Sequence, residues 1–393
     1  MSNVNASAWR IGSAAEGESQ EKTKVLRPVR DESPGVEVAP TVRDLVPYET
    51  VDSQAAIASR SDQKRNFKLD WNECTIAQSP AVSAAIAEFL ANGGGLNWYP
   101  KLGSQELISA LTSYTGVAAD HLLVSNGSDD GLRLICSTYL DRGDEVVIPV
   151  PTYNHFMVFA ESRGAKVVTV QGEDAFDCNL AGIEAKMSET TRLLYLVSPN
   201  NPTGMIIEPQ DVAELCERYP STLIVLDEAY FEFSQITGIG LVEKYRNLVV
   251  TRTFSKAFGL AGLRIGYLAA CPELIEGMRR IYNPKSVNTL GQIGAVAALG
   301  DLPYLDDFLK EVRASKEILR EFFEARSVEA HITAANFVVI RVDEVPQMLK
   351  ALEDRGIYVR DRSSYPGLEG CIRMSVGTTE QTERLLGRIE DLF

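Results

Sequence analysis

The chain has 393 residues, a formal net charge of -15 and 45% hydrophobic residues. That length is enough for two domains with substantial cores, and the composition is that of an ordinary soluble globular protein. The acidic field repels polyanions, and no stretch approaches the roughly 20 uninterrupted apolar residues of a membrane helix, so neither nucleic acid nor a membrane is an expected partner.

Residues 1–41 are rich in Ser, Glu, Gly, Pro and Val without a sustained period, and a poorly ordered extension is expected there. The start, Met1 to Ser13, lacks the charge and apolar pattern of a secretory signal. Glu16, Glu18 and Glu21 argue against a transit peptide, so a cytoplasmic location is expected. From Thr41 to Tyr48 the chain turns more apolar, and an ordered segment over 42–95 is expected to begin there. It is expected to pack near the active site, with a helix over Pro80–Leu90 broken by Gly93, Gly94 and Gly95.

Strands are predicted at Asp144–Val150, Lys166–Val170, Arg192–Val197, Thr222–Asp227, Asn247–Thr251 and Arg264–Ala270. Most are continuous apolar runs, as in strands buried on both faces, and helical stretches such as Pro209–Tyr219 lie between them. This alternation predicts an α/β fold with a mainly parallel sheet in a large domain over residues 96–300. Beyond it the style changes. A charged helix over Tyr304–Arg326, strands at Asn336–Val342, Ile357–Arg360 and Cys371–Val376, and helices over Val345–Arg355 and Thr379–Leu392 predict a small α+β domain over 301–393.

The six cysteines form no C-x-x-C pair, and no zinc or redox motif is present. Cys136 and Cys371 sit in apolar runs and read as small core residues. His121, His155 and His331 lie in no recognisable motif. No metal site is expected, and the chemistry should run on something other than histidine.

Ligands of open α/β sheets gather at the carboxyl ends of the strands. There the sequence places Asp227-Glu-Ala-Tyr230, Thr253-Phe-Ser-Lys256, Ser198-Pro-Asn-Asn201-Pro-Thr-Gly and Pro151-Thr-Tyr153. Lys256 follows a buried strand, and desolvation there would favour a neutral, nucleophilic amine; alone, it reads equally as a solvated loop lysine. Asp227 ends a buried strand, where a carboxylate needs a cation or hydrogen bonds. A protonated pyridine nitrogen is such a cation, and a helix cap or structural ion pair is the alternative. Ser125-Asn-Gly-Ser128-Asp129 precedes an amphipathic helix and offers backbone N–H groups to a phosphate, or simply caps the helix. Ser255 and Arg264 flank Lys256 within reach of the same anion. Arg264 is expected to begin a strand, an expensive place for a guanidinium without an anion. Tyr153 offers a face for a ring, or packs in the core.

The run Thr253 to Tyr267, with Lys256 and Arg264 in it, resembles the lysine signature of the fold-type I pyridoxal 5'-phosphate (PLP) enzymes, the class I/II aminotransferases. The Ser198–Gly204 and Asp227–Tyr230 motifs resemble two more of that family, in the expected order. Within it the chain is similar to the histidinol-phosphate aminotransferases. The similarity rests on Leu45-Val-Pro-Tyr48, Asn72-Glu73, Trp98-Tyr99-Pro100, Asn126–Asp129 and the segment Val359–Thr378 with Arg360 and Arg373.

This resemblance implies a seven-stranded sheet with helices on both faces and a homodimer with shared active sites. It also implies histidine biosynthesis and ping-pong transfer between an anionic or phosphorylated amino substrate and 2-oxoglutarate. Lys256 would be the Schiff-base lysine. Asp227 would pair with the pyridine nitrogen, Asn201 and Tyr230 would bind the ring hydroxyl, and Tyr153 would stack on the ring. Ser128, Asp129, Ser255 and Arg264 would hold the cofactor phosphate, joined by Tyr99 from a second subunit. Arg373, Arg360, Tyr48 and Asn201 would bind the substrate.

The chain departs from the family at Cys74-Thr75, where Asn-Pro is usual, and in its long N-terminal extension. Other reactions of the same fold, such as decarboxylation, elimination or cyclisation, and transamination of aromatic or unusual amino acids, are the alternatives. A PLP-binding regulator would carry a DNA-binding domain that residues 1–60 do not suggest. A non-PLP α/β binding protein would leave the lysine, Asp and Asn motifs unexplained.

Overall fold

Apolar runs of five to seven residues recur through the middle of the chain, and each becomes a strand that helices must cover on both sides. The structure, a computed structural model, describes residues 36–46, 57 and 66–393. In chain order the strands are β1 (Phe67–Lys68), β2 (Leu122–Ser125), β3 (Glu145–Val150), β4 (Lys166–Gln171), β5 (Thr191–Val197), β6 (Leu223–Asp227), β7 (Leu248–Thr253), β8 (Gly266–Ala270), β9 (Ala330–Ile332), β10 (Phe337–Arg341), β11 (Ile357–Tyr358), β12 (Arg360–Asp361) and β13 (Cys371–Ser375).

A seven-stranded sheet has the order β2-β8-β7-β6-β5-β3-β4. The pairs β4–β3, β3–β5, β5–β6 and β6–β7 are parallel, whereas β8 runs antiparallel to both β7 and β2. The α/β architecture with a mainly parallel sheet is therefore present as expected. Alternate residues of its strands feed two separate apolar clusters. Tyr195, Val197, Val225 and Val249 belong to one. Leu194, Leu196, Ile224, Leu226, Leu248 and Val250 belong to the other, which continues into the strands of the C-terminal region. There a four-stranded antiparallel sheet, β12-β13-β10-β9, forms, and β1 pairs separately with β11.

Contacts group residues 40–393 into one compact unit. Pro40–Arg43 forms a single helical turn, while Tyr48 and most of the expected extension lie outside the described residues. No helix among the described residues is long and apolar enough to cross a membrane.

The structure departs from the sequence expectations at several points, the short strands β1 and β9 among them. β2, only four residues long, was not anticipated, because so short a run has no readable period. The single strand expected over Ile357–Arg360 is two: β11 pairs with β1, and β12 pairs with β13. Arg264 does not begin a strand. It ends the one-turn helix Ala261–Leu263 in the left-handed region, at φ 54°, two residues before β8. The antiparallel turn from β7 to β8 thus leaves its half-exposed guanidinium beside the loop that carries Lys256. The two cysteines read as core, Cys136 and Cys371, are both buried.

Candidate active site

The carboxyl ends of β5, β6 and β7 lie side by side, with Val197 opposite Asp227 and Asp227 opposite Thr251. This register puts the Ser198–Gly204 turn, Asp227 and the Lys256 loop on one edge of the sheet. Asn200, buried, knits the first of these to the neighbouring strand end. Its Nδ2 donates to the Pro151 carbonyl at 2.8 Å, and its Oδ1 accepts from the Thr152 hydroxyl at 2.7 Å. That leaves Asn201, the next residue, facing the C-terminal sheet, where its Oδ1 accepts from Arg373 Nη1.

Asp227 is 3% exposed. Tyr195 Oη donates to its Oδ2 at 2.9 Å, and the Ala229 N–H donates to Oδ1 at 3.1 Å. Burial pushes its carboxyl up from the usual 3.8 to about 6, against the pull of these hydrogen bonds. Tyr195 was not singled out from the sequence. A tyrosine inside an apolar strand is a usable signal, because a buried phenol needs a partner. Its ring stacks on Phe156 at 3.8 Å between centroids.

Lys256 Nζ donates to the Trp71 carbonyl at 2.9 Å and lies 5.8 Å from the centre of the Tyr230 ring. The Tyr230 hydroxyl accepts from Asn72 Nδ2 at 2.9 Å. Arg373 Nη2 donates to the Asp70 carbonyl at 2.6 Å. The segment 70–72 therefore crosses the site as a strap, using two backbone carbonyls and one side-chain amide. Lys68 secures it: its buried ammonium pairs with Asp70 and Glu73, each at 2.6 Å. These carbonyl contacts had no sequence signal, because any residue supplies a carbonyl.

The residues expected around a phosphate also lie together. Gly127, at φ 82°, precedes the helix Ser128–Tyr139. A Cβ at Gly127 would meet Arg264 Nη2 at 2.6 Å, so only glycine lets the guanidinium lie against this helix start. Arg264 reaches Asp129 and the Ser255 hydroxyl, both at 3.4 Å, and Tyr153 Oη donates to Asp129 at 2.8 Å. A carboxylate repels phosphate, so Asp129 can serve an anion through its backbone N–H while its side chain orients Arg264 and Tyr153.

The structure thus groups Ser128, Asp129, Tyr153, Ser255 and Arg264 in one cluster, and Asn201, Tyr230, Lys256 and Arg373 in another. Arg360 is the cross-strand partner of Arg373. Tyr99 stands apart: it is 79% exposed on the loop after helix Pro80–Ala91, with Lys285 Nζ 5.0 Å from its ring centre.

Two observations suit the PLP implied by the motifs. A buried carboxylate held by neutral donors alone calls for a cation, which a pyridinium supplies. A glycine-led helix start with an arginine laid against it is a ready phosphate cradle.

Residues 64–389 match the family described as aminotransferase class I and II. A dihydroxyacetone phosphate transaminase from Campylobacter jejuni is 35% identical over 356 residues, covering 89% of this chain and 95% of that protein. A histidinol-phosphate aminotransferase from Ruminiclostridium cellulolyticum is 30% identical over 352 residues, covering 88% and 96%. Among solved structures, the histidinol-phosphate aminotransferase from Sinorhizobium meliloti, in complex with pyridoxal-5'-phosphate, superposes with a TM-score of 0.81 at 26% identity, covering 92% of this chain and 100% of that one. The motifs, the sheet and these likenesses agree: the chain belongs to the class I and II aminotransferases, whose cofactor is pyridoxal 5'-phosphate, and it is similar to the histidinol-phosphate aminotransferases among them.

Proposed function

We propose that the chain transfers an amino group between a small phosphorylated amino substrate and 2-oxoglutarate, with histidinol phosphate as the leading donor. The observation that carries this reading is the placement of Arg360 directly opposite Arg373 on adjacent antiparallel strands. Like charges in that relation repel. Two guanidinium groups on one face of the sheet can bind a doubly charged oxyanion together, and the planar fork suits phosphate and carboxylate alike. One pocket can then serve a phosphorylated donor and a dicarboxylate acceptor in turn.

When bound, PLP supplies an aldehyde that condenses with amines and a protonated ring that withdraws electrons from the amine-bearing carbon. Lys256 Nζ holds the cofactor between turnovers. Once released, Lys256 Nζ would take the proton from the substrate's Cα and deliver it to the carbon that carried the cofactor's aldehyde, as general base and then acid, so that water can release the oxo product. Asp227 keeps the ring nitrogen protonated. Asn201 and Tyr230 bind the ring hydroxyl, and Tyr153 covers the ring face. Ser128, Ser255, Arg264 and the backbone at Asp129 hold the cofactor phosphate. Arg373, fixed by Asn201 and the Asp70 carbonyl, takes the anionic group nearest the reacting carbon. Arg360 takes the distal one.

Tyr99 reaches the phosphate of a second copy in a homodimer. Leu96, Trp98 and Leu102, exposed within three residues of Tyr99 in the chain, would be covered with it by such an interface.

The Campylobacter relative favours a second reading, a phosphorylated ketone without an imidazole ring. The test is re-formation of PLP from pyridoxamine-loaded enzyme, followed by absorbance, across imidazole acetol phosphate, dihydroxyacetone phosphate and aromatic 2-oxo acids. Fast reaction with the imidazole phosphate supports histidinol phosphate, and reaction with dihydroxyacetone phosphate alone selects the second reading. Reaction confined to the aromatic acids removes the phosphate from the assignment.

A further inference from the structure

The residue after Asp227 is also a buried carboxylate, and it serves a different purpose. Glu228 is 1% exposed and Arg252, in β7, is 2% exposed, which makes Arg252 the largest fully buried side chain among the described residues. Arg252 donates to Glu228 Oε2 through Nε at 2.9 Å and Nη2 at 2.8 Å. Thr237 Oγ1 donates to the same oxygen at 2.8 Å, and the Gly238 N–H donates to Oε1 at 2.6 Å. Arg252 Nη2 also donates to Thr237 Oγ1 at 2.6 Å, and Nη1 to the Tyr267 hydroxyl at 3.3 Å. The Phe231 ring lies over the guanidinium at 3.6 Å.

This pair sits where the register between β6 and β7 runs out. The last Cα pair is Asp227 with Thr251. Beyond it β6 turns away toward Tyr230, while β7 continues toward Lys256. One backbone bond, from Glu228 N–H to the Thr251 carbonyl at 2.9 Å, and the Arg252–Glu228 pair join the diverging ends. Through Tyr267 and Thr237 the pair also fastens β8 and the turn before residue 239. Tyr267 packs against Phe254, and Phe258 packs against Phe254 in turn, so the aromatic residues on either side of Lys256 rest on this support.

Replacing a buried ion pair by apolar groups of similar volume is often neutral for stability, whereas removing one partner is costly. Stability alone is therefore a weak reason to bury this pair beside two reactive groups. We propose that Arg252 and Glu228 are positioning residues that fix the distance between Asp227 and Lys256, and so the tilt of the cofactor ring between its nitrogen and its aldehyde carbon. The inference rests on the roles given above to Asp227 and Lys256.

The test compares the holoenzyme with the double variant Arg252→Met/Glu228→Leu, which removes both charges of the pair together. The readouts are thermal midpoint, kcat, KM and the pH titration of the visible band of the lysine-bound cofactor. A folded double variant should show kcat lower by about 10–100-fold at a KM within about threefold of wild type, the loss expected from a misplacement of about 1 Å. The midpoint of its band titration should move by about half a pH unit or more.

Wild-type kcat and titration in a folded double variant would overturn the proposal, as would a loss confined to thermal stability. If the double variant does not fold, Arg252→Lys decides. A shifted titration and reduced kcat at near wild-type stability support the positioning role, and lowered stability with both unchanged refutes it. Failure of the underlying reading is distinct: Lys256→Ala would then retain the visible band.

Discussion

Two halves of the site are built on different plans. The half that would hold the cofactor comes from consecutive strand ends of one sheet. Asp227, the Asn200–Asn201 turn and the Lys256 loop are set by the backbone register of β5, β6 and β7. The half that would hold the substrate is assembled from segments remote in sequence. Arg373 meets Asp70 across 303 positions and Asn201 across 172. Its strand β12 has two residues, and its strap is held by the Lys68 ion pairs rather than by a long ladder. The first half is thus a rigid scaffold suited to chemistry shared across a family. The second is a clamp whose few contacts can change without disturbing the sheet, and it is the natural place for substrate choice to diverge.

If that division is right, breaking the scaffold half should cost turnover and breaking the clamp half should cost affinity. The largest effect is expected at Lys256. Lys256→Ala should lower kcat by roughly 10⁴-fold or more and abolish the visible band of the lysine-bound cofactor. Full activity in this variant would remove Lys256 from the chemistry.

Asp227→Asn should lower kcat by about 10²–10³-fold, because the ring nitrogen loses its anionic partner. Its stability should respond in the opposite direction. In the cofactor-free chain the Asp227 carboxyl titrates near 6 rather than 3.8, so between those values the folded state holds a proton that the unfolded state has lost. The contribution of Asp227 to stability is fullest below about pH 4, falls through pH 6, and then stays lower by roughly 3 kcal/mol. Cofactor-free Asp227→Asn should escape this decline and melt above cofactor-free wild type at pH 8. Equal melting points there would mean that Asp227 is already charge-compensated.

The same contrast explains what could be read from the sequence. Asp227 and Lys256 follow apolar runs long enough to announce their strands, so both the sheet and its reactive edge were legible. Arg264 has the expected neighbours but not the expected backbone, because residue identity does not separate the left-handed end of a one-turn helix from the start of the strand two residues on. An arginine in the apolar run Leu248–Thr253 is a usable signal for a buried ion pair, but its partner Glu228 lies 24 positions away and is brought near only by the order of strands in the sheet. The carbonyls of Asp70 and Trp71 could not have been found, as backbone acceptors leave no mark on residue identity. The split of Ile357–Arg360 between two sheets depends on β1, whose two residues carry no periodicity.

On the clamp side, Arg360→Gln should raise KM for the phosphorylated substrate by about 10–100-fold while kcat stays within about threefold, the signature of lost uniform binding. Arg373→Lys should be harsher. A lysine ammonium is a point charge without the planar fork that spans Asn201 and the Asp70 carbonyl through two nitrogens, so the strap loosens and kcat falls along with affinity. Initial rates over a substrate series separate the two. A pure kcat loss in Arg360→Gln would place that residue in the scaffold half and dissolve the contrast.

The smallest effect on turnover is expected from Glu232, on the deep side of the scaffold. Glu232 is 2% exposed, and burial, outweighing the attraction of Arg252, pushes its carboxyl up from the usual 4.5 to about 7. The folded chain therefore keeps a proton between pH 4.5 and 7 that the unfolded chain releases, and stability falls as pH rises through that window. Glu232→Gln removes the titration. Its melting point should match wild type near pH 4.5 and exceed it by the equivalent of roughly 1–3 kcal/mol at pH 8, with kcat unchanged within about twofold. A melting-point difference independent of pH would show that Glu232 is already ionised in the folded chain, whereas a tenfold loss of kcat at neutral pH would mean that its charge is felt at the strand ends. Either result would sharpen the boundary between the part of the scaffold that only supports the site and the part that takes part in it.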